Sequence, residues 1–409
     1  MDHQRPPPAR ALHWDVFARL IDNWGDVGVC WRLARQLSAA GHTVTLWLDD
    51  PSPLAWMAPD LAGMLQPQVQ VRGWSTVDES SACGTDALVE AFGCDVPTSF
   101  LAGFARRCHA RRAAGQQAPA WLNLEYLTAE TFAERAHGLP SPQLQGPAAG
   151  LTKYFFYPGF SARTGGVLQA QDAPQHGLHP YPAAGPLQDH TTATVPLAAT
   201  ADQRLQRMRS MDVDIAPPLA ACTWVSLFCY EPQALTDLLS LNSADPSGAV
   251  LLVAHGRTAE AVALARRHTA LGRAWRTCVP LPLLKQTDYD QLLTLCDLNF
   301  VRGEDSLVAG LRAGRPLVWQ AYVQDDGVHA AKVDAFLAWA QGAGNAPPEW
   351  LAAHRRWNGM IATPLPGDLL QAHRIEPWQR CARRLQADLA GRADLASQLC
   401  HFVATHPSI

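Results

Sequence analysis

Apolar runs and helical periods alternate along this chain. The stretch WDVFARLI (14–21) is almost continuously apolar and reads as a strand. Cys30, Leu33, Ala34 and Leu37 then recur at helical spacing, and Gly41 offers a C-cap. TVTLWLDD supplies a second strand. Strand, helix and strand in this order predict a βαβ unit and a parallel sheet. VQVRGW, ALVEAFG and AWLNLEYL are further strand candidates, with helices expected over 99–112 and 129–135.

From 140 to about 203 the texture changes. SPQLQGPAAG and the run over 161–200 are rich in Pro, Gly, His, Gln and Thr, and LTKYFFYP is the strand-like exception. A segment of this kind reads as a loop joining two domains. A second series follows. CTWVSLFCY, SGAVLLVAHG, TCVPLPLL, DLNFVRG and RPLVWQ read as strands, alternating with helical PQALTDLLSLN, TAEAVALARRH, DYDQLLTLC and EDSLVAGLRAG. Three helical stretches close the chain: HAAKVDAFLAWAQ, EWLAAHRRW and a long one starting near Pro377.

The pattern predicts two doubly wound α/β domains, 1–203 (with 161–203 as loop and linker) and 204–376. A terminal helix over 377–409 can cross back onto the first. This describes a GT-B-like architecture, although periodicity alone leaves other two-domain α/β arrangements open.

Composition changes this picture little. A chain of 409 residues suits two cores rather than one. The net charge of −4, from 33 basic and 37 acidic residues, provides no electrostatic footprint for nucleic acid. No run approaches the roughly 20 apolar residues that span a bilayer, so no membrane partner is expected. The opening MDHQRPPPAR lacks the apolar centre of a signal peptide, and 1–12 is read as a disordered leader. The ten cysteines form no CxxC pair. They are expected to be reduced thiols of a cytoplasmic protein, with no metal site.

In open α/β sheets, ligands sit at the carboxyl ends of strands. Two strand-to-helix junctions, one in each half, carry unusual chemistry. The first is DNWGDVGV (22–29). An acid at a helix N-terminus can be a plain cap. That explains Asp26, next to the helical run, better than Asp22, which ends the strand. Two acids here argue against a bound phosphate and favour a cationic or hydroxylic partner.

The second junction is VRGEDSLVAGLRAGRP (301–316), whose free backbone N–H groups suit an anion. Arg302 can add a forked contact to phosphate. Ser306 can donate a hydroxyl. Glu304 and Asp305 suit an anion site only if they turn elsewhere, for instance to ribose hydroxyls. The competing reading is a helix capped by Asp305 or Ser306 and ended by Gly314. Phe228 and Tyr230 in LFCYE, Gln286 in LLKQTDYD, and His255 at another strand end are weaker candidates for a base-binding pocket. Each is also explained by packing or capping. There is no GxGxxG, no GxxxxGK[ST], no HExxH and no Ser-His-Asp motif.

Taken in series, DNWGDVGVCWRLARQL, WLNLEYLTAE, FFYPGF with TGG, LFCYE, and RGEDS with GRPLVWQAY resemble the EarP family. These are the bacterial protein-arginine rhamnosyltransferases that modify translation elongation factor P. The matches run in order from about 14 to 335, and DLASQL near the end is similar more loosely. The resemblance implies a GT-B fold with two Rossmann-like domains facing across a cleft. It implies inverting transfer of L-rhamnose from dTDP-β-L-rhamnose to the guanidinium of one arginine of elongation factor P. That modification activates the factor for rescue of polyproline-stalled ribosomes. Neither metal nor cofactor is implied beyond the donor.

Carried over, Asp22 and Asp26 match the family's two important aspartates, Asp26 being the general-base candidate. Asn23, Trp24 and Gly25 fall on the acceptor side, with Trp24 where a tyrosine is common. Glu304, Asp305 and Ser306 match the nucleotide-sugar motif, and Arg302 and Gly303 beside them are counted as donor-binding candidates. Phe228, Tyr230 and Gln286 match positions around the thymine and ribose. The alternatives are another GT-B transferase with a different nucleotide sugar or acceptor, and a non-enzymatic nucleotide-sugar-binding module.

Overall fold

The protein is described by a computed structural model that covers residues 10–20, 24–59, 69–169, 200–242, 248–323 and 327–405. Asp22, Asn23, the first nine residues of the expected leader and most of the expected linker lie outside the described residues.

The first sheet contains β1 (His13–Ala18), β2 (Thr43–Leu48), β3 (Val69–Gly73), β4 (Ala87–Ala91), β5 (Ala120–Leu124), β6 (Pro140–Pro142) and β7 (Thr152–Phe156). Its order is β3-β2-β1-β4-β5-β7-β6, parallel except for β6 at the edge. Strand β1 is buried on both faces, which is why it reads as a continuous apolar run. Trp14 and Val16 face the core shared with helix α1 (Gly25–Ala39), while Phe17 faces the core under α3 (Thr98–Ala113). The one acid inside β1, Asp15, is fully buried and accepts from Trp47 Nε1 at 2.8 Å and Thr85 Oγ1 at 2.7 Å. Satisfied in this way, it is a structural group.

The second sheet contains β8 (Thr223–Leu227), β9 (Ala249–Val253), β10 (Trp275–Pro280), β11 (Leu298–Arg302) and β12 (Leu317–Gln320). It is wholly parallel in the order β10-β9-β8-β11-β12. In each sheet the winding reverses direction next to the first strand, between β1 and β4 and between β8 and β11. Such switch points open a crevice at the carboxyl ends of the strands. Trp24, Gly25 and Asp26 follow β1, and Gly303 to Ser306 follow β11, so each group stands at a switch point. The expected pair of Rossmann-like domains in a GT-B arrangement is what the chain forms.

Three details differ from the sequence reading. The disordered leader was expected to reach residue 12, but Leu12 packs against the first core and donates its N–H to His42 Nδ1 at 3.2 Å. The second domain was expected from 204. It has begun by Thr200, which caps helix α5 (Ala201–Arg209) through a reciprocal capping box with Gln203. Leu205 and Met208 of α5 bury themselves against Trp224 and Val250 of the second sheet. The third concerns the return crossing. One helix from Pro377 was expected to make it, but two are present. Helix α12 (Ala372–Ala390) holds Pro377 inside it and stays on the second domain, burying Trp378, Leu385 and Leu389 there. Pro377 has no N–H to donate to the His373 carbonyl, so the helix runs through it at the loss of one backbone bond. Helix α13 (Leu395–Thr405) makes the crossing and buries Leu399, Phe402 and Val403 in the first core.

The crossing is stitched to the outgoing chain. Leu395 N–H donates to Val167 O at 3.0 Å, and Gln169 N–H to Asp394 Oδ1 at 2.9 Å. Gly166 lies at φ +70°, and a Cβ there would come within 2.1 Å of Ala393 O. This explains the glycine of the TGG stretch by close backbone approach.

Candidate active site

Asp26 occupies the first turn of α1, at the carboxyl end of β1. No side chain caps this helix; its N-cap is Trp24. The carboxylate instead accepts from the Tyr126 hydroxyl, which reaches Oδ2 at 3.3 Å. Burial first, and the nearby Glu304 second, push the Asp26 pKa up from its ordinary value to about 7, against the opposing pull of Tyr126 and Lys332. The plain helix-cap reading therefore gives way to a carboxylate tuned near neutrality. Trp24 and Gly25 are exposed beside it, and Trp24 meets Trp56 edge-on at 4.9 Å between centroids.

Across the crevice, β11 turns into helix α9 (Gly303–Ala313) through Gly303 at φ +67°. Gly314 ends that helix in the left-handed conformation, as expected of a C-cap. Its start differs from the expected cap: Arg302 is the N-cap, with no capping side chain, and the Ser306 hydroxyl donates back to Arg302 O. The first-turn N–H groups are thus not taken by a capping side chain.

The awkward acids of RGEDS turn away, as an anion site requires. Glu304 accepts the Leu127 N–H at 2.9 Å through Oε2 and pairs with Lys332 through Oε1. Asp305 accepts from Arg32 Nε at 2.8 Å and Gln286 Nε2 at 3.3 Å. Both carboxylates engage protein partners here rather than standing open to a ribose. Gln286 also donates to Gly28 O at 3.1 Å, so it ties helix α8 (Gln286–Leu295) to α1. A Cβ at Gly28 would stand 3.1 Å from Gln286 Nε2 and 3.3 Å from Asp305 Oδ2. Glycine lets the two domains touch at this point.

The rings offered to a base are in part occupied by a neighbour. Arg302 lies 4.3 Å from the Phe228 centroid and 4.6 Å from that of Tyr230, and it donates to Cys229 O at 2.8 Å. Burial holds its pKa below the ordinary arginine value. The structure thus joins Phe228, Tyr230 and Arg302 in one aromatic and cationic cluster at the ends of β8 and β11. His255 lies two residues past β9, just before Gly256, the N-cap of helix α7 (Arg257–Ala265) at φ +77°.

Sequence reasoning missed Tyr126, Lys332 and Arg32. Tyr126 lies two residues past β5 in a stretch that reads as one strand, and its position at a strand's carboxyl end was the usable signal. Lys332 is one of three lysines in the chain. Arg32, on α1, forms a fork to Asp290 at 2.6 and 2.7 Å besides reaching Asp305. A cavity of about 520 Å³ lies beside these groups, between Phe132, Phe160 and Trp339, and none of the predicted site residues lines it. Among the described residues no group of His, Cys, Asp and Glu could hold a metal ion, and no helix is long and apolar enough to cross a membrane.

The model of the family "Elongation-Factor P (EF-P) rhamnosyltransferase EarP" matches residues 14–404. A protein-arginine rhamnosyltransferase of Pseudomonas aeruginosa is 35% identical over 96% of this chain and 98% of its own length. One of Neisseria meningitidis is 33% identical over 96% of this chain and 97% of its own. A solved structure from work on EarP-mediated arginine glycosylation of translation elongation factor EF-P is 24% identical. It spans 96% of this chain and 98% of that one, with a TM-score of 0.55, and shares the fold. Sequence and fold agree that the chain belongs to the EarP family of elongation factor P rhamnosyltransferases.

Proposed function

We propose that this protein transfers L-rhamnose from dTDP-β-L-rhamnose to the guanidinium of an arginine of elongation factor P, inverting the anomeric carbon. The observation that carries the reading is the placement of Asp26, held by the Tyr126 hydroxyl at the switch point of the first domain and facing Glu304 at the start of α9, where burial and that charge push its pKa up to about 7.

The chemistry explains why such a group is needed. A guanidinium is protonated near neutral pH and is a poor nucleophile. Asp26 cannot deprotonate it in advance. It takes one N–H proton as the nitrogen bonds to C1 of the sugar, while the C1–O bond breaks and its electron pair leaves with dTDP. A base with a pKa near the working pH serves such a transfer better than an ordinary aspartate. The leaving diphosphate gains charge, which the α9 N-terminus and the Arg302 cation stabilise. Direct displacement uses no enzyme nucleophile. Asp22 is assigned to orienting the guanidinium beside Asp26, with Asn23, Trp24 and Gly25 on the acceptor side. The donor is assigned to Phe228, Tyr230, His255, Gln286 and the 302–306 turn, where Glu304, Asp305 and Gln286 exchange protein partners for the nucleotide sugar.

The pH profile tests the base. Asp26 must be ionised to accept a proton, so kcat/KM for the acceptor should climb with unit slope at acid pH and level off above about 7. At pH 5 the rate should be about 100-fold below the plateau. A limb near the ordinary aspartate value, about 4, would remove Asp26 from the role.

A further inference from the structure

Phe92 has a backbone conformation that bulky residues avoid. Its φ is +57°, and Gly93 follows at +66°. A left-handed phenylalanine persists only where its surroundings hold it, and such residues gather at working sites. Strand β4 has ended at Ala91, yet the Phe92 N–H still donates to Leu124 O at 2.7 Å. The chain then bends and lays the Phe92 ring flat against Tyr126. The centroids are 4.6 Å apart and the planes differ by 19°.

Tyr126 is the residue whose hydroxyl donates to Asp26 Oδ2. Its ring is held by Phe92, and the next peptide is fixed by the Leu127 N–H bond to Glu304. Lys332, paired with Glu304, stands 5.8 Å from the Tyr126 centroid. A fold needing only a turn after β4 would be served by glycine at 92. Phe92 is half-buried, and one side of it also packs against the first core.

The geometry points to Phe92 as a positioning residue that acts through Tyr126: together they fix the Asp26 carboxylate by Oδ2 and present Oδ1 to the incoming guanidinium nitrogen. This rests on the transfer reaction proposed above. In that step Oδ1 receives the N–H proton, and Tyr126 keeps its own, because burial and the Asp26 and Glu304 charges hold the phenol well above its ordinary pKa. Asp26 is faced by Tyr126 after β5, Glu304 on α9 and Lys332 on helix α10 (Val328–Gly344), with Cys30 on its own helix. Of these, Tyr126 and Lys332 favour the ionised carboxylate.

The test compares Tyr126→Phe, Phe92→Ala, Phe92→Gly and Phe92→Tyr with the unsubstituted protein. Kinetics are read with elongation factor P and dTDP-β-L-rhamnose. The Asp26 titration is read separately by carboxyl ¹³C NMR, with Asp26→Asn identifying the resonance. Tyr126→Phe and Phe92→Ala should each lower kcat about 10- to 100-fold with little change in acceptor KM. Both should move the Asp26 titration and the acid limb upward, because a bond favouring the carboxylate is lost or loosened. Phe92→Tyr, which keeps the ring, should restore both readouts. Phe92→Gly, which relieves the backbone, should be as slow as Phe92→Ala while melting no earlier. An Asp26 titration unmoved by Phe92→Ala, or a kcat loss that follows melting temperature across the four variants, overturns the assignment. Failure of the unsubstituted protein to transfer rhamnose would remove the reaction instead, and the NMR titration would still decide whether Phe92 governs Asp26.

Discussion

Asp26→Asn is expected to lower kcat by about 10²- to 10⁴-fold, the range for loss of a general base. Dissociation of dTDP should be unchanged, because Asp26 stands on α1 while the groups assigned to the donor follow β8 and β9, end β11 and lie on α8 and α9. The asparagine keeps the size and the contact with Tyr126 but cannot take a proton. The same substitution should stabilise the unliganded protein. The native pKa of about 7 lies above the ordinary aspartate value of 3.8, so the folded state holds the proton more tightly than the unfolded chain does. Below the lower value both states are protonated and nothing is lost. Between the two values stability falls as pH rises, and above about 7 the folded state carries the whole penalty. After solvent screening that penalty is about 1–2 kcal/mol. Asp26→Asn should therefore melt later than the unsubstituted protein at pH 8 and together with it at pH 3. Near-normal turnover, or an earlier melt at pH 8, would contradict the assignment.

Arg32→Ala should give the largest loss of stability among the groups described. The guanidinium is 13% exposed and holds Asp290 and Asp305, which are 18% and 21% exposed. Removing it leaves Asp305 without a cation at the domain contact and Asp290 with only the longer pairing to Arg312 at 3.8 Å. Breaking one partner of such a buried set costs about 3–5 kcal/mol. Partial exposure here brings the expectation to about 2–4 kcal/mol, or about 5–10 °C in Tm. Arg32 lies on α1 and its partners on α8 and α9, so calorimetry should also show the two domains melting less cooperatively. Arg32→Ala with Asp305→Asn should recover part of the loss, since the carboxylate left without a cation is then gone. A Tm shift below about 1 °C would mean that the contact contributes nothing measurable.

The elements were legible where one local rule governed them. β1, β4, β8 and β9 are sandwiched between helices, so their sequences are runs of apolar residues. The helices between them show their buried faces at i, i+3 and i+4. Asp26 was legible because a parallel strand's carboxyl end is where a ligand belongs. Its partner was not. Tyr126 sits in AWLNLEYL among strand-formers, and only the sheet order, which puts β5 beyond β4, brings it 100 positions along the chain to Asp26. Glu304 and Asp305 were expected to suit an anion site only if they turned elsewhere, and both engage protein partners. What they turn to, Leu127 and Lys332 for one and Arg32 for the other, depends on how two domains meet. No local pattern encodes that. The same holds for α12 and α13, whose amphipathic faces are alike while the cores they enter differ.

Incubation of the purified protein with dTDP-β-L-rhamnose and unmodified elongation factor P, followed by peptide mass spectrometry, tests the proposed reaction most directly. The expected result is a gain of one deoxyhexose on a single arginine peptide, absent when that arginine is replaced by lysine and formed at least about 100-fold more slowly with Asp26→Asn. No mass gain under conditions where the protein binds dTDP, a gain that survives the lysine replacement, or an undiminished initial rate with Asp26→Asn would contradict it.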